Sequence, residues 1–348
     1  MPRELLVTGP RSVELAAYED APPASNEVRA DAIVSGISHG TELALYRGVS
    51  SFAGKRFDPD LRLFLEDDGA ASYPVRLGYE WVGEVREIGA EVDTFAVGDL
   101  LHLALPHRET QTVAVADDPR APWTVLPKGL DPDRATLLQS VTIALQAAHD
   151  ARIALGDTTV VFGLGAFGLL AVQLVRLSGA GWIGAVDPVP RRRDLAHAFG
   201  ADLVLDPSAC DAGREIKVAT GGGVDVAIEF SGRYSALQDA MRSTRLAGTV
   251  VVAGFYVGAP GDELRLGEEF HHNRLTLVGS MSGWGAPQRR GGWDRLRLRA
   301  TALDLLVGDE LDVDALVTHR IPFAQAGSAY ELIDRCPEET LRVVLTYG

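Results

Sequence analysis

The sequence predicts an α/β chain in two parts: a β-rich first part forming a small barrel, then a doubly wound parallel sheet. Three observations carry this. The first 120 residues show short alternating segments with frequent turn signals. From about Leu126 the pattern changes to regularly alternating helix and strand. Within that second part, residues 160–187 (VVFGLGAFGLLAVQLVRLSGAGWIGAVD) read as strand, glycine-rich turn, helix, strand and acid.

In the first part, residues 27–34 (EVRADAIV) alternate charged and apolar side chains, as a half-buried strand does. Residues 81–88 (WVGEVREI) do the same, with Gly89 and then Val97-Gly98-Asp99 as punctuation. Residues 50–73 form a long polar excursion, but Phe52, Phe57, Leu61, Leu63, Phe64 and Leu65 make it too apolar for pure disorder. A flap near a functional site and an elaborated surface hairpin both stay open. In the second part, residues 133–152 read as one long apolar helix ending near Gly156. Helices follow over 191–199 and 234–246, with strands at 203–205, 224–230, 249–253 and 275–278. An arginine-rich helix over 293–307 leads to a short mixed tail, and no repeat or low-complexity tract is visible.

The glycine turn carries chemistry. Gly163, Gly165 and Gly168 stand in G-x-G-x-x-G spacing, with Ala166 and Phe167 between them, after an apolar strand and before an apolar helix. The first glycine permits a tight turn, the second lets backbone approach a pyrophosphate, and the third lets helix and strand pack closely. The helix N-terminus offers N–H groups and partial positive charge to phosphates. Asp187, nineteen residues after Gly168, stands where an acid accepts hydrogen bonds from a ribose diol. Strand, helix and acid agree, so the stretch predicts a dinucleotide cofactor. Asp187 repels a 2′-phosphate and favours NAD; Arg191, Arg192 and Arg193 leave NADP open.

Composition bounds the rest. With 348 residues, 46% hydrophobic and 23% charged, the chain has room for two domains with ordinary cores. A net charge of −15 argues against nucleic acid or an anionic membrane as partner and leaves a small-molecule substrate. Lysine occurs only at Lys55, Lys128 and Lys217, which reads as genome composition. Two distant cysteines, Cys210 and Cys336, exclude a disulfide framework and a cysteine zinc cluster. The start MPRELLVTGPRSVEL lacks the layout of a secretory signal, and apolar runs break well before eighteen residues. The expectation is a cytoplasmic protein.

Further motifs give the chain a relationship. G-I-S-H-G-T-E at 36–42, G-Y-E-W-V-G at 78–83, V-G-D at 97–99, GLGAFG at 163–168, A-F-G-A-D at 198–202 and T-L-R-V-V-L-T at 340–346 stand in a specific order and spacing. In these the chain resembles the medium-chain dehydrogenase/reductase superfamily, of zinc-type alcohol dehydrogenase-like proteins, over essentially its full length. The resemblance implies a GroES-like β-barrel catalytic domain (residues 1–125 and 285–348) and an inserted Rossmann cofactor domain (126–284). It also implies an active site in the cleft between them and a homodimer or tetramer. Relatives hold a catalytic zinc with Cys, His, a nearby Glu, and a second Cys or Glu. Here those positions carry Ser38, Tyr79, Glu80 and, near the last, Leu138, and the four-cysteine structural lobe is missing after Asp99. Serine and tyrosine are poor zinc ligands, so neither a catalytic nor a structural zinc is expected. G-I-S-x-G-T-E and the later F-H-H-N-R-L are similar to a zinc-lacking branch that includes bacteriochlorophyllide-dehydrogenase-like and threonine-dehydrogenase-like proteins.

Without a metal, side-chain donors must stabilise the developing alkoxide. The motifs supply Ser38, His39, Thr41, Tyr79 and Glu80, with His107 following a barrel strand. The resemblance places a basic residue facing the pyrophosphate at His39, so phosphate contact, proton relay and a structural role stay open. Tyr79 is either proton donor or acceptor, or a packing aromatic. Glu80 orients Tyr79 or His39, or only ties the two domains. For the cofactor, the resemblance implies Arg192 along the adenine, Arg342 at the pyrophosphate, and Ser231, Phe255 and Met281 near the nicotinamide. His271-His272 on a strand, the arginines 289, 290, 295, 297 and 299 on a solvated helix face and an Asp117-Asp118 turn read as ordinary features, and the substrate pocket is expected along the 50–73 excursion, the barrel edge and the segment near Trp284. The expected function is a zinc-independent, NAD-dependent oxidoreductase interconverting a secondary alcohol and a ketone. The alternatives are an NAD(P)H-dependent enoyl or quinone reductase and a catalytically inactive dinucleotide-binding protein.

Overall fold

In chain order the fold opens with strands Arg3–Gly9 (β1), Ser12–Ala17 (β2) and Glu27–Ile37 (β3) and helix Thr41–Arg47 (α1). Strands Lys55–Asp58 (β4), Leu63–Glu66 (β5), Val75–Arg76 (β6), Trp81–Ile88 (β7), Leu100–Leu103 (β8), Thr110–Ala114 (β9) and Trp123–Val125 (β10) follow, then helices Pro132–Ala135 (α2) and Leu138–Ala151 (α3). Next come β11 (Thr158–Phe162), α4 (Ala166–Leu177), β12 (Trp182–Val186), α5 (Pro190–Ala198), β13 (Leu203–Leu205), α6 (Ala212–Thr220), β14 (Val224–Glu229), α7 (Tyr234–Ser243), β15 (Thr244–Val252) and β16 (Thr276–Gly279). The chain closes with α8 (Arg295–Val307), β17 (Val317–Pro322), α9 (Ala326–Arg335) and β18 (Arg342–Thr346). This computed structural model describes residues 1–67, 73–115, 123–258, 261–281 and 291–348. Asp117-Asp118, Trp284, Arg289, Arg290 and the 68–72 end of the excursion lie outside the described residues.

The chain divides into two compact units, residues 1–139 with 314–348, and residues 140–313. The sequence reading set the divisions at 125/126 and 284/285, and hydrogen bonds account for the difference. Leu126 N–H donates to Leu100 O at 2.8 Å, and Gln139 N–H to Glu80 Oε2 at 3.0 Å, so 126–139 stay with the first unit. Gln173 and the Asp312 backbone exchange two hydrogen bonds, of 3.0 and 2.8 Å, which hold that segment to the second.

In the first unit, among the described residues, β10-β8-β7-β3-β18-β17 pair in that order, with β9 also on β3. Strand β18 runs antiparallel to β3 with Val343 opposite Ile37, so both ends of the chain build one sheet. Ser35 faces Trp81 on one side and Leu345 on the other, which sets the first two motifs side by side. Leu5, Ile37, Leu43, Phe323, Tyr330 and Val343 fill one core behind them. The 50–73 excursion contains an antiparallel hairpin, β4 with β5, and Phe52 ahead of it stacks on Phe64 of β5 at 5.1 Å.

The second unit carries an all-parallel sheet in the order β13-β12-β11-β14-β15-β16 among the described residues. Counted from β11 this is the 3-2-1-4-5-6 order of a doubly wound dinucleotide fold. Helix α4 is apolar nearly all round and buries Leu169, Leu170, Val172, Leu174 and Val175.

Four sequence expectations change. The long 133–152 helix is two, α2 and α3, because the Thr136 hydroxyl turns back to Asp133 O (2.6 Å) and the new helix start gives its Gln139 N–H to Glu80. The 234–246 helix stops at Ser243, where 244–252 become strand β15. His271 and His272 sit on a helical turn ahead of β16, not on a strand, so their rings meet at 5.5 Å instead of facing apart. Arg299 is buried with Leu298 and Ala302 on α8, not on a solvated face.

Candidate functional site

In the second unit, sheet register assembles the cofactor residues. Phe162 is level with Val186 and with Glu229, and Glu229 with Val252. Gly163, Asp187, Phe230 and Ala253 therefore leave the sheet at one carboxyl edge, on both sides of the β11/β14 switch point. Gly163 has φ +82°, and a Cβ there would stand 2.6 Å from Ser231 N, so the two turns touch. A Cβ on Gly168 would overlap the carbonyl oxygen of Gly163. In front of Gly165 no atom lies within 4 Å, and this residue caps α4 without a side-chain hydrogen bond. The turn thus leaves bare backbone facing open space at a helix start, which fits a pyrophosphate. Ala166 and Phe167 open the helix, and Phe167 leans toward Phe230 at 6.4 Å.

Asp187 is buried, and its carboxylate accepts from Leu164 N–H (2.8 Å) and Val189 N–H (2.9 Å). Each carboxylate oxygen has a second acceptor site, so a diol still finds acceptors. Arg192 stands 3.7 Å from it, while Arg193 donates to Asp187 O (2.8 Å) and pairs with Asp206 (3.2 Å). Ser231 gives both its N–H (2.6 Å) and its hydroxyl to Glu229. Glu229 was not singled out from sequence, although it is an acid ending an apolar strand. It is fully buried and also accepts from Gly232 N–H and Tyr256 O–H, yet burial holds its pKa above the usual carboxylate range. Phe255 is half-buried beside this cluster in sequence, and Met281 is exposed.

In the first unit, Ser38 and Tyr79 come together: the Tyr79 O–H donates to Ser38 Oγ at 2.5 Å. Part of the Tyr79 residue stays at the surface, but protein surrounds its hydroxyl. Desolvation raises its pKa well above the ordinary tyrosine value, with the negative charges of Glu42 and Glu80 adding to the rise. Glu80 is fully buried and bonds His102 Nε2 at 2.8 Å and Gln139 N–H at 3.0 Å; Arg342 Nη2 lies 3.6 Å away. Sequence reasoning missed His102; its only signal was a polar residue inside the apolar strand LLHL. Arg342 is buried in this unit and also donates to Ile37 O at 3.0 Å. His39 and Thr41 are half-buried, in the turn before α1 and at its first residue.

The donor set is a poor match for zinc. Ser38 and Tyr79 are hydrogen-bonded to each other, and Glu80 faces an arginine and a histidine. Among the described residues, the histidine, cysteine and carboxylate donors that cluster three together are Cys336, Glu338 and Glu339, partly or fully exposed. Both cysteines are free thiols. No helix of the described residues is long and apolar enough to cross a membrane.

Burial of phenols gives a stability prediction. Tyr79, Tyr330 and Tyr347 of this unit all have pKa values raised by desolvation. Their contribution is fully present below the unfolded tyrosine pKa of about 10. Above it the unfolded chain loses protons that the folded chain keeps. Stability then falls by about 1.4 kcal/mol per pH unit for each phenol, or about 4 kcal/mol per unit for three. Urea midpoints at pH 9 and pH 11 should differ accordingly; equal midpoints would show that these hydroxyls ionise freely in the fold.

A family model described as zinc-binding dehydrogenase matches residues 166–294. D-guloside 3-dehydrogenase of Escherichia coli (strain K12) is 32% identical over 353 residues, covering 99% of this chain and 100% of that protein. L-threonine 3-dehydrogenase of Pyrococcus abyssi (strain GE5 / Orsay) is 27% identical over 347 residues, 92% of this chain and 91% of that one. The crystal structure of 2R,3R-butanediol dehydrogenase from Bacillus subtilis superposes with a TM-score of 0.79 at 23% identity over 100% of both chains, a likeness of fold. The chain therefore belongs to the zinc-binding dehydrogenase family, within the medium-chain, alcohol dehydrogenase-like proteins, and is an oxidoreductase.

Proposed function

We propose that the protein interconverts a secondary alcohol, on a polyol or glycoside, and its ketone, using NAD and no metal at the reacting oxygen. The observation that carries this reading is the Tyr79–Ser38 hydrogen bond, formed between two positions where the resemblance puts metal ligands. The name of the relative matched over its full length, D-guloside 3-dehydrogenase, suggests the glycoside class, and that of L-threonine 3-dehydrogenase is consistent with oxidation of a carbinol. When bound, NAD would supply the hydride acceptor for the carbinol carbon. Asp187 holds the ribose diol, and the bare backbone at Gly165 receives the pyrophosphate.

The proton is handled by the hydroxyl pair. A hydroxyl has one proton to donate, and Tyr79 gives its own to Ser38. The Ser38 O–H is then the donor turned to the substrate oxygen. In ketone reduction the Ser38 proton passes to the new alkoxide and the Tyr79 proton passes to Ser38, leaving a phenolate that takes a proton from solvent; in oxidation both moves reverse, so Tyr79 must first give its proton to solvent and enter that direction as the phenolate. The raised pKa of Tyr79 keeps the resting pair protonated. Arg192, 3.7 Å from Asp187, offsets part of its charge but leaves the acid in the diol position, so NAD is preferred over NADP.

The test is steady-state oxidation of 2,3-butanediol and methyl D-guloside by protein dialysed against a chelator. We expect activity to survive chelation, with kcat/KM at least about tenfold higher for NAD than for NADP, worth about 1.4 kcal/mol. Stoichiometric zinc whose removal abolishes turnover defeats the metal-free mechanism, and a preference for NADP defeats the cofactor assignment.

A further inference from the structure

Beneath the Tyr79–Ser38 pair lies a buried polar chain that the reaction itself does not use. Glu42 is 2% exposed, in the first turn of α1 and four residues after Ser38. Its Oε1 accepts the Ser38 N–H at 2.8 Å. Its Oε2 lies 3.0 Å from His107 Nε2 and accepts the Tyr330 O–H at 2.5 Å. On the other side of the ring, His107 Nδ1 lies 2.7 Å from Ser35 Oγ, which pairs with Tyr347 O–H at 2.9 Å. An ionised carboxylate only accepts, so with Glu42 charged Nε2 carries the proton, and Nδ1 of the neutral ring accepts from Ser35.

Serine, histidine and acid stand here in the order of a hydrolytic triad, but Ser35 is fully buried and hydrogen-bonded to Tyr347. The chain's other end explains it better. The His107 N–H donates to Leu77 O at 2.8 Å. The next residue, Gly78, has φ +117°, and a Cβ on it would stand 2.8 Å from His107 N and 2.9 Å from its ring carbon Cδ2. His107 therefore packs so closely on Gly78, the residue before Tyr79, that no side chain fits between them, while Glu42 holds the backbone N–H of Ser38. The two groups join the segments that carry the reacting hydroxyls.

We infer that His107 and Glu42 are positioning residues that set the Tyr79–Ser38 hydrogen bond, a buried clamp between the two motif segments. The inference rests on the proposed role of that pair. A buried, fully partnered polar network fixes geometry more tightly than apolar packing of the same volume, and a misplacement of about 1 Å at a reacting group costs on the order of 100-fold in rate. Removing His107 also leaves a buried carboxylate short of a donor.

The experiment is a double-mutant cycle on the full-length protein with His107→Ala, Tyr79→Phe and the combination, plus His107→Gln as the conservative variant. The readouts are kcat and KM for NAD-linked oxidation of 2,3-butanediol or methyl D-guloside, NAD affinity, and a crystal structure of His107→Ala. We expect His107→Ala to lower kcat on the order of 10- to 100-fold with NAD affinity unchanged, and His107→Gln to recover most of it. In the Tyr79→Phe background the same substitution should cost less than about twofold, and the crystal structure should show the Tyr79–Ser38 distance beyond hydrogen-bond range. Equal losses in both backgrounds, or an unchanged 2.5 Å contact in the variant structure, overturn the clamp. A Tyr79→Phe enzyme with full activity overturns the underlying role of the pair instead. Should His107→Ala fail to fold, Glu42→Gln, which keeps volume and removes the charge, takes its place in the same cycle and structure.

Discussion

Gly165→Ala is expected to fold like the parent and bind NAD weakly, whereas Gly168→Ala is expected to lose stability before binding is in question. The two glycines lie three residues apart in one motif and read alike in sequence. Space separates them. A Cβ on Gly168 would overlap the carbonyl oxygen of Gly163, and the nearest neighbours are backbone atoms that cannot rotate away. Overpacking of this kind costs about 1–3 kcal/mol, and a rigid backbone neighbour puts it at the upper end. At Gly165 nothing lies within 4 Å, so a methyl group meets no clash, and the fold loses only the preference for glycine over alanine at the helix cap, about 1 kcal/mol or less. That methyl would stand where the pyrophosphate approaches and would push it off one or two charge-assisted hydrogen bonds of about 1.5–3 kcal/mol each. Titration with NAD should show affinity lower by roughly 10- to 100-fold in Gly165→Ala, with a melting temperature lowered far less than in Gly168→Ala. If Gly165→Ala binds NAD as the parent does, the phosphates do not sit at this turn.

The contrast shows what was legible in the sequence. Local pattern specifies a glycine turn, an apolar helix and an acid at the next strand end, and all three are found at one sheet edge. The strand at 81–88 matched to the residue in its bounds, but its first three residues are all buried, so the charged–apolar alternation describes only its second half. Which glycine is squeezed and which faces open space depends on Ser231 and Gly163, and only the second of these is a sequence neighbour. The polar clusters were less legible still. Glu80 was read as orienting Tyr79 or His39 or as only tying the two domains, and the sequence did not show that its carboxylate meets His102 from β8 and Gln139 from the start of α3. Tyr330 and Tyr347 reach Glu42 and Ser35 across 288 and 312 residues, and no spacing rule connects them. Motifs mark where reacting groups stand; the buried groups that aim them come from strand register and chain return.

Tyr79→Phe is expected to lower kcat and kcat/KM together on the order of 10²- to 10⁴-fold, the usual worth of a placed proton donor. The substitution keeps the ring and removes one oxygen, so it leaves the packing of the first unit in place. Ser38 then loses the group that donates to it at 2.5 Å and has only its own proton for the substrate, with no supply behind it. NAD affinity should be unchanged, because Asp187 and the glycine turn belong to the other unit. Equal falls in kcat and kcat/KM identify an interaction made in the transition state, whereas a rise in KM alone would mean that Tyr79 only binds substrate. Ser38→Ala should fall comparably, and the double variant little further, since either hydroxyl alone breaks the relay. The pH profile separates donor from base. Because burial and two nearby carboxylates raise the Tyr79 pKa, the protonated form persists past the ordinary tyrosine value of about 10. Ketone reduction, which consumes that proton, should hold its rate through this range, while alcohol oxidation should still be climbing there. A reduction rate that falls by half near pH 8 would place the donor on another group, with His39, beside Ser38 in the chain, as the residue to substitute next.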